Sequence, residues 1–141
     1  MKALHLLIAL GVAVAATVPA NACVVNNPPG VRIGQVRADT VILATVREAT
    51  YTGQRKPDYR PWRSHVQLKK VLRGSTSTQR FSIARSGSSA ACDDGITPPA
   101  RGDIWVIYLG RRDGKQIVLL SYPLAIARAA DPTLFSRKTA S

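Results

Sequence analysis

The sequence predicts an all-β fold, a single small barrel of five strands with a short C-terminal helix. Three observations lead there. Five runs rich in β-branched, aromatic or alternating apolar residues lie between residues 40 and 120, each bounded by Gly, Pro, Asp or Ser. A chain of 141 residues has room for one domain. Five strands in so small a domain leave two exposed edges unless the sheet closes on itself.

The N-terminus reads as a cleaved export signal and stands outside the fold. Lys2 supplies the positive start, residues 4–18 form an apolar run ended by Pro19, and Ala20-Asn21-Ala22 is a small-x-small cleavage pattern before Cys23. The apolar run falls short of the ~20 residues a spanning helix needs, so a cleaved signal at residues 1–22 is preferred to an anchor. The mature chain, residues 23–141, is then one domain without a transmembrane segment, with periplasm or extracellular medium as its destination. Residues 26–34 contain Pro28, Pro29 and Gly30 and read as irregular chain near one helical turn. Residues 40–46 are β-branched and form the first strand. Gly53, Pro57 and Pro61 turn residues 51–63 into a long loop.

Residues 65–72 alternate, with Val66 and Leu68 on one face and Gln67 and Lys69 on the other, the pattern of a half-buried strand. Gly74 and residues 75–78 make a turn. Residues 80–85 alternate again, with Phe81 and Ile83 inward. Residues 86–102 are a long loop carrying Cys92, Pro98 and Pro99. Residues 104–109 are continuously apolar, which marks a central strand buried on both faces. Arg112-Asp113-Gly114 is a hairpin signal leading into a strand at residues 117–120. The alanine-rich tail between Pro123 and Pro132 carries the short helix.

Composition narrows the function classes. Lys and Arg number 20 against 8 Asp and Glu, a formal net charge of +12, while 45% hydrophobic residues argue against a disordered basic tail. Two cysteines exclude a multi-disulfide miniprotein and a thiolate zinc ribbon. Cys23 has two readings, lipid attachment or a disulfide. Ala20 stands where lipoprotein signals carry a bulky aliphatic residue, and lipidation would orphan Cys92, so a Cys23–Cys92 bridge in an oxidising compartment is preferred.

An enzyme is not expected. His65 is the one histidine beyond the export signal and lies on the polar side of a strand; Ser88, His65 and Asp93 form no nucleophile-elbow pattern. No cofactor motif is present. Asp93-Asp94 lacks companion ligands and reads as a turn or as an anion balancing nearby arginines. Arg101-Gly102-Asp103 reads as a turn. Arg55, Lys56, Arg60 and Arg63 share the 51–63 loop with Tyr51, Tyr59 and Trp62. Such interleaving suits single-stranded nucleic acid, but export turns the expectation toward anionic envelope components: polymers, lipid head groups or acidic proteins.

The order of these elements resembles a known family. A signal ending in Ala-Cys, then residues 38–44 (ADTVILA) opening the first strand, is similar to the tissue inhibitors of metalloproteinases and the wider netrin-like module. Val71-Leu72-Arg73-Gly74 resembles the close of that family's second strand. Ser88, Ser89, Ala90, Ala91 and Cys92 resemble the loop holding the partner of its N-terminal cysteine, and Gly102 with residues 104–109 resembles the turn and strand that follow. The likeness covers most of residues 23–122. It implies a five-stranded oligonucleotide/oligosaccharide-binding (OB) type Greek-key barrel stapled from Cys23 to Cys92. It further implies inhibition of a zinc endopeptidase: the Cys23 amine and carbonyl chelate the partner's zinc, Val24 enters the specificity pocket, and Ser88, Ser89, Ala90 and Ala91 flank the contact. An amine pKa near ~7.7 makes the free base accessible at neutral pH. Val25 departs from the family's second cysteine, and the position near Ser121 expected to bridge it also lacks one.

Overall fold

The computed structural model describes residues 27–53, 60–86 and 94–136. Five strands, β1 (Thr40–Tyr51), β2 (Trp62–Arg73), β3 (Arg80–Arg85), β4 (Ile104–Arg112) and β5 (Lys115–Pro123), form one antiparallel sheet in the order β3-β2-β1-β4-β5. Three short helices accompany it: α1 (Pro29–Gln35), α2 (Leu124–Ala130) and α3 (Pro132–Ser136). Among the described residues no helix is long and apolar enough to cross a membrane.

The strand alternation sorts side chains into two cores. Ile42, Ala44, Val46, Trp62, Val66, Ile83, Trp105, Ile107 and Leu109 face one side and pack together. Val41, Val106, Tyr108 and Tyr122 face the other, where Ala127 and flanking side chains of α1, α2 and α3 cover them. β4 feeds both cores, so residues 105–109 are almost wholly buried, as their unbroken apolar run predicts. Phe81, Leu68 and Val118 complete the first core. Gly30 lets α1 approach α2: a Cβ there would sit 3.3 Å from the Ala130 carbonyl oxygen.

Register shifts interrupt the β1–β2 ladder at three places and the β4–β5 ladder at one. Bulges bend strands and increase their twist. The two outer strands, β3 and β5, meet at one end, where the Arg85 side chain of β3 hydrogen-bonds the Ser121 hydroxyl at 3.0 Å and also the Ser121 carbonyl of β5.

Several boundaries differ from the sequence expectation. β1 continues through Tyr51 and β2 begins at Trp62, so the connection expected over residues 51–63 is shorter at both ends. The extension follows from cross-strand pairing of Thr50 with Arg63 and Tyr51 with Trp62. Trp62 is 1% exposed and belongs to the core rather than to a basic-aromatic loop. β4 and β5 also run up to the Asp113-Gly114 turn, where both residues adopt positive φ. The tail holds two short helices, separated at Asp131.

Candidate functional site

Chemistry gathers at one end of the sheet, where β3 meets β5. There β3 places Phe81, Ile83 and Arg85 on the inward parity, so an arginine enters the end of an apolar core. Trp62 and Trp105 receive it. Their rings meet edge to face at 5.8 Å and 79°, and the Arg85 guanidinium carbon lies 5.8 Å and 5.9 Å from the two centroids. Cation–π contacts at this range stabilise a partly desolvated guanidinium.

Asp94 neutralises that charge. Its Oδ1 accepts from Arg85 Nε at 2.7 Å and from the Ile96 backbone N–H at 3.2 Å, while Oδ2 lies 3.6 Å from Arg32 Nη1 on α1. The Arg85 and Asp94 side chains are each 14% exposed. Trp62 Nε1 donates to the Ile96 carbonyl at 2.8 Å, so the segment after Asp94 is held from both sides. A recess of about 350 Å³ lies between β3 and β5 beside this cluster, with Arg32 and Asp94 at its margin. Tyr122 is buried nearby; burial pushes its phenol upward, opposed by the charges of Arg32 and Arg85 and reinforced by that of Asp94.

Among the described residues the cluster sets two guanidinium groups, Arg32 and Arg85, about the single Asp94 carboxylate. It ties α1, and through it the chain leading back toward Cys23, to the residue two positions after Cys92. The expectation that an aspartate of the Asp93-Asp94 pair balances arginines holds for Asp94; Asp93 lies outside the described residues. Arg32 and Arg85 escaped sequence reasoning, although the parity of Phe81 and Ile83 points Arg85 inward as well.

Of the residues expected to act, Cys23, Val24, Ser88, Ser89, Ala90, Ala91, Cys92, Arg55, Lys56 and Tyr59, together with residues 1–22 expected to be an export signal, lie outside the described residues. Arg60 and Arg63 are exposed at the β1–β2 end of the sheet, and Tyr51 is partly exposed there. His65 is exposed on the outer face, with Nε2 3.9 Å from Glu48 Oε1. The Arg101-Gly102-Asp103 segment is a turn: Gly102 has φ 93° and Asp103 Oδ2 accepts the Ala100 N–H at 2.9 Å. Among the described residues no three His, Cys, Asp or Glu side chains converge as a metal site.

No protein-family model matches the chain, and no curated protein matches it either.

Proposed function

We propose that this chain is an exported, non-enzymatic binding protein built on an OB-type Greek-key barrel, and that it inhibits a zinc endopeptidase through its N-terminal residue. The strand order, with β3 brought to β5 at Arg85 and Ser121, supports the barrel type. The observation that carries the functional part is the Arg32–Asp94–Arg85 tie, which holds the N-terminal helix against the chain that follows Cys92. A Cys23–Cys92 bridge needs those two segments side by side. Processing after Ala22 would free the Cys23 amine; the bridge would fix it beside Ser88, Ser89, Ala90 and Ala91. Catalytic zinc sites keep an open position that an amine and a carbonyl can fill. Near Ser121, where the resembling inhibitors carry a further cysteine, Arg85 supplies the strand-to-strand tie by hydrogen bonds instead.

The test is inhibition of a panel of zinc endopeptidases by the processed, oxidised protein. Carbamylating the Cys23 amine, or adding one residue before it, should abolish inhibition with circular dichroism unchanged. Val24→Gly should weaken inhibition by at most about 1.5–3 kcal/mol, because it removes pocket burial and keeps the chelating atoms. Inhibition that survives the blocked amine, or a panel untouched by the free one, rejects the mechanism.

A second reading is anion binding by the β1–β2 connection through Arg55, Lys56, Arg60 and Arg63. The exposure of Arg60 and Arg63 at one end of the sheet favours it. Neutralising the four should weaken binding to acidic polymers, and the attraction should fade as the Debye length falls from ~10 Å at 0.1 M salt to ~3 Å at 1 M.

A further inference from the structure

The outward face of β1, β2 and β3 carries a cationic surface that adjoins the 51–63 connection at Arg63. On β2 the outward parity selects Arg63, His65 and Gln67; on β3 it selects Arg80, Ser82 and Ala84; on β1 the irregular step at Val46/Glu48 presents Arg47 and Glu48 together. Gln67 pairs across the ladder with Arg80, and His65 with both Ser82 and Glu48. Gln67 Oε1 accepts from Arg47 Nε at 2.7 Å and also from Arg47 Nη2. That fork holds the Arg47 guanidinium against β2, while Arg80 of β3 is the register partner of the same Gln67. Between them is a shallow recess of about 520 Å³ lined by Arg47, Glu48, His65, Val66, Gln67 and Arg80.

Cations outnumber acids among the described residues of this face. Among the described residues, Arg47, Arg63 and Arg80 have no carboxylate within ion-pair distance, and Glu48 is the one acid on the face, facing His65. Like charges gathered on neighbouring strands cost stability, and a bound anion would relieve that. We infer that this face binds an anionic polysaccharide bearing sulfate or phosphate groups, with Arg47 and Arg80 as the clamp about one such group and Arg63 continuing the track along β2. Guanidinium forks match tetrahedral oxyanions through paired N–H donors. Gln67, Ser82 and Thr50 add neutral hydrogen-bonding groups for sugar hydroxyls. Single-stranded nucleic acid would call for a row of aromatic platforms, and the large aromatic of β2, Trp62, is buried on the opposite parity. A lipid surface would call for apolar side chains to insert, and the exposed large hydrophobics among the described residues are Val31, off this face, and Tyr51 at its edge.

This site is independent of the protease reading and adjoins the 51–63 connection at Arg63, so the test separates the two. The experiment uses immobilised heparin as probe, with neutral dextran, polyphosphate, single-stranded DNA and anionic vesicles as comparisons. Three double variants each remove two positive charges: Arg47→Gln with Arg80→Gln on the face, Arg55→Gln with Lys56→Gln in the connection, and Arg112→Gln with Lys115→Gln at the β4–β5 hairpin. The face variant should lose at least ~10-fold in heparin affinity, the other two less than ~2-fold, and dextran should bind to none. Equal losses in all three variants would reduce the effect to net charge and overturn the site. Loss confined to the connection variant would overturn it in favour of the second reading. DNA, polyphosphate or vesicles bound more tightly than heparin would overturn the polysaccharide assignment.

Discussion

Two buried tyrosines set a measurable local cost. Tyr108 and Tyr122 are 0% and 1% exposed, and neither hydroxyl has a hydrogen-bond partner among the described residues. The Tyr108 hydroxyl lies close enough to Asp131 for that carboxylate to act on it, yet without good hydrogen-bond geometry. An unsatisfied buried hydroxyl costs about 1–3 kcal/mol, whereas an apolar isostere at such a site is neutral or stabilising. Tyr122→Phe should therefore hold or raise the melting temperature. Burial is the main cause lifting both phenols above their ordinary value near 10, with Asp131 adding to the lift at Tyr108. In the unfolded chain they ionise near pH ~10, while in the folded protein they hold their protons to higher pH. Their contribution is thus complete below pH ~10 and is lost as pH rises beyond it. Urea midpoints at pH 8 and pH 11 should fall further apart for the native chain than for the Tyr108→Phe, Tyr122→Phe double variant. An identical fall in both would place the alkaline loss elsewhere.

The turn between β2 and β3 depends on one glycine. Gly74 has φ 72°, and a Cβ there would lie 2.3 Å from the Asp39 carbonyl oxygen and 2.9 Å from Thr40 Cα, backbone atoms that cannot swing aside. The same turn is knit to other elements: the Ser75 carbonyl accepts from Thr40 Oγ1 at 3.0 Å and from Gln116 Nε2 at 3.1 Å. Gly114 offers the internal comparison, since it has φ 75° with open space around its Cβ position. Gly114→Ala should cost about 1–2 kcal/mol, the penalty of the left-handed conformation alone. Gly74→Ala should cost about 3 kcal/mol or more, because a steric clash adds to that penalty. Chemical denaturation of the two variants measures the gap, and equal costs would mean that the Asp39 backbone yields.

At the scale of the molecule, α1 is fastened to the sheet by an ion-pair cluster. Arg32, Asp94 and Arg85 form a non-covalent tie between α1, the chain after Cys92 and β3. A Cys23–Cys92 bridge would reinforce the same junction and close a loop of about 70 residues, a stabilisation of about 4 kcal/mol in the chain-entropy model. Cys92→Ser should lower the melting temperature, and the unreduced native chain should titrate with no free thiol in denaturant. Two reactive thiols would refute the bridge, and a lipid mass on Cys23 would refute both the bridge and the free amine.

The alternation of side chains made most of the fold legible. Val66 and Leu68, Phe81 and Ile83, and the unbroken run at residues 104–109 occupy the sides that their periods assign, because a strand turns every second residue to the same face. Turn glycines marked the β2–β3 and β4–β5 connections for a similarly local reason, the positive φ that they supply. Strand ends were not legible. Thr50, Tyr51, Trp62 and Arg63 are strand because they pair with one another across the β1–β2 ladder, and a partner is not visible in either segment alone. The charged clusters were hidden for the same reason. Arg32 is far in the chain from Arg85 and Asp94, as Arg47 is from Arg80. Which residues face inward, and the large positive charge, follow from the order of residues alone. Which cations share a neighbourhood, and which have a carboxylate beside them, follows from strand order and register, and no local preference sets those.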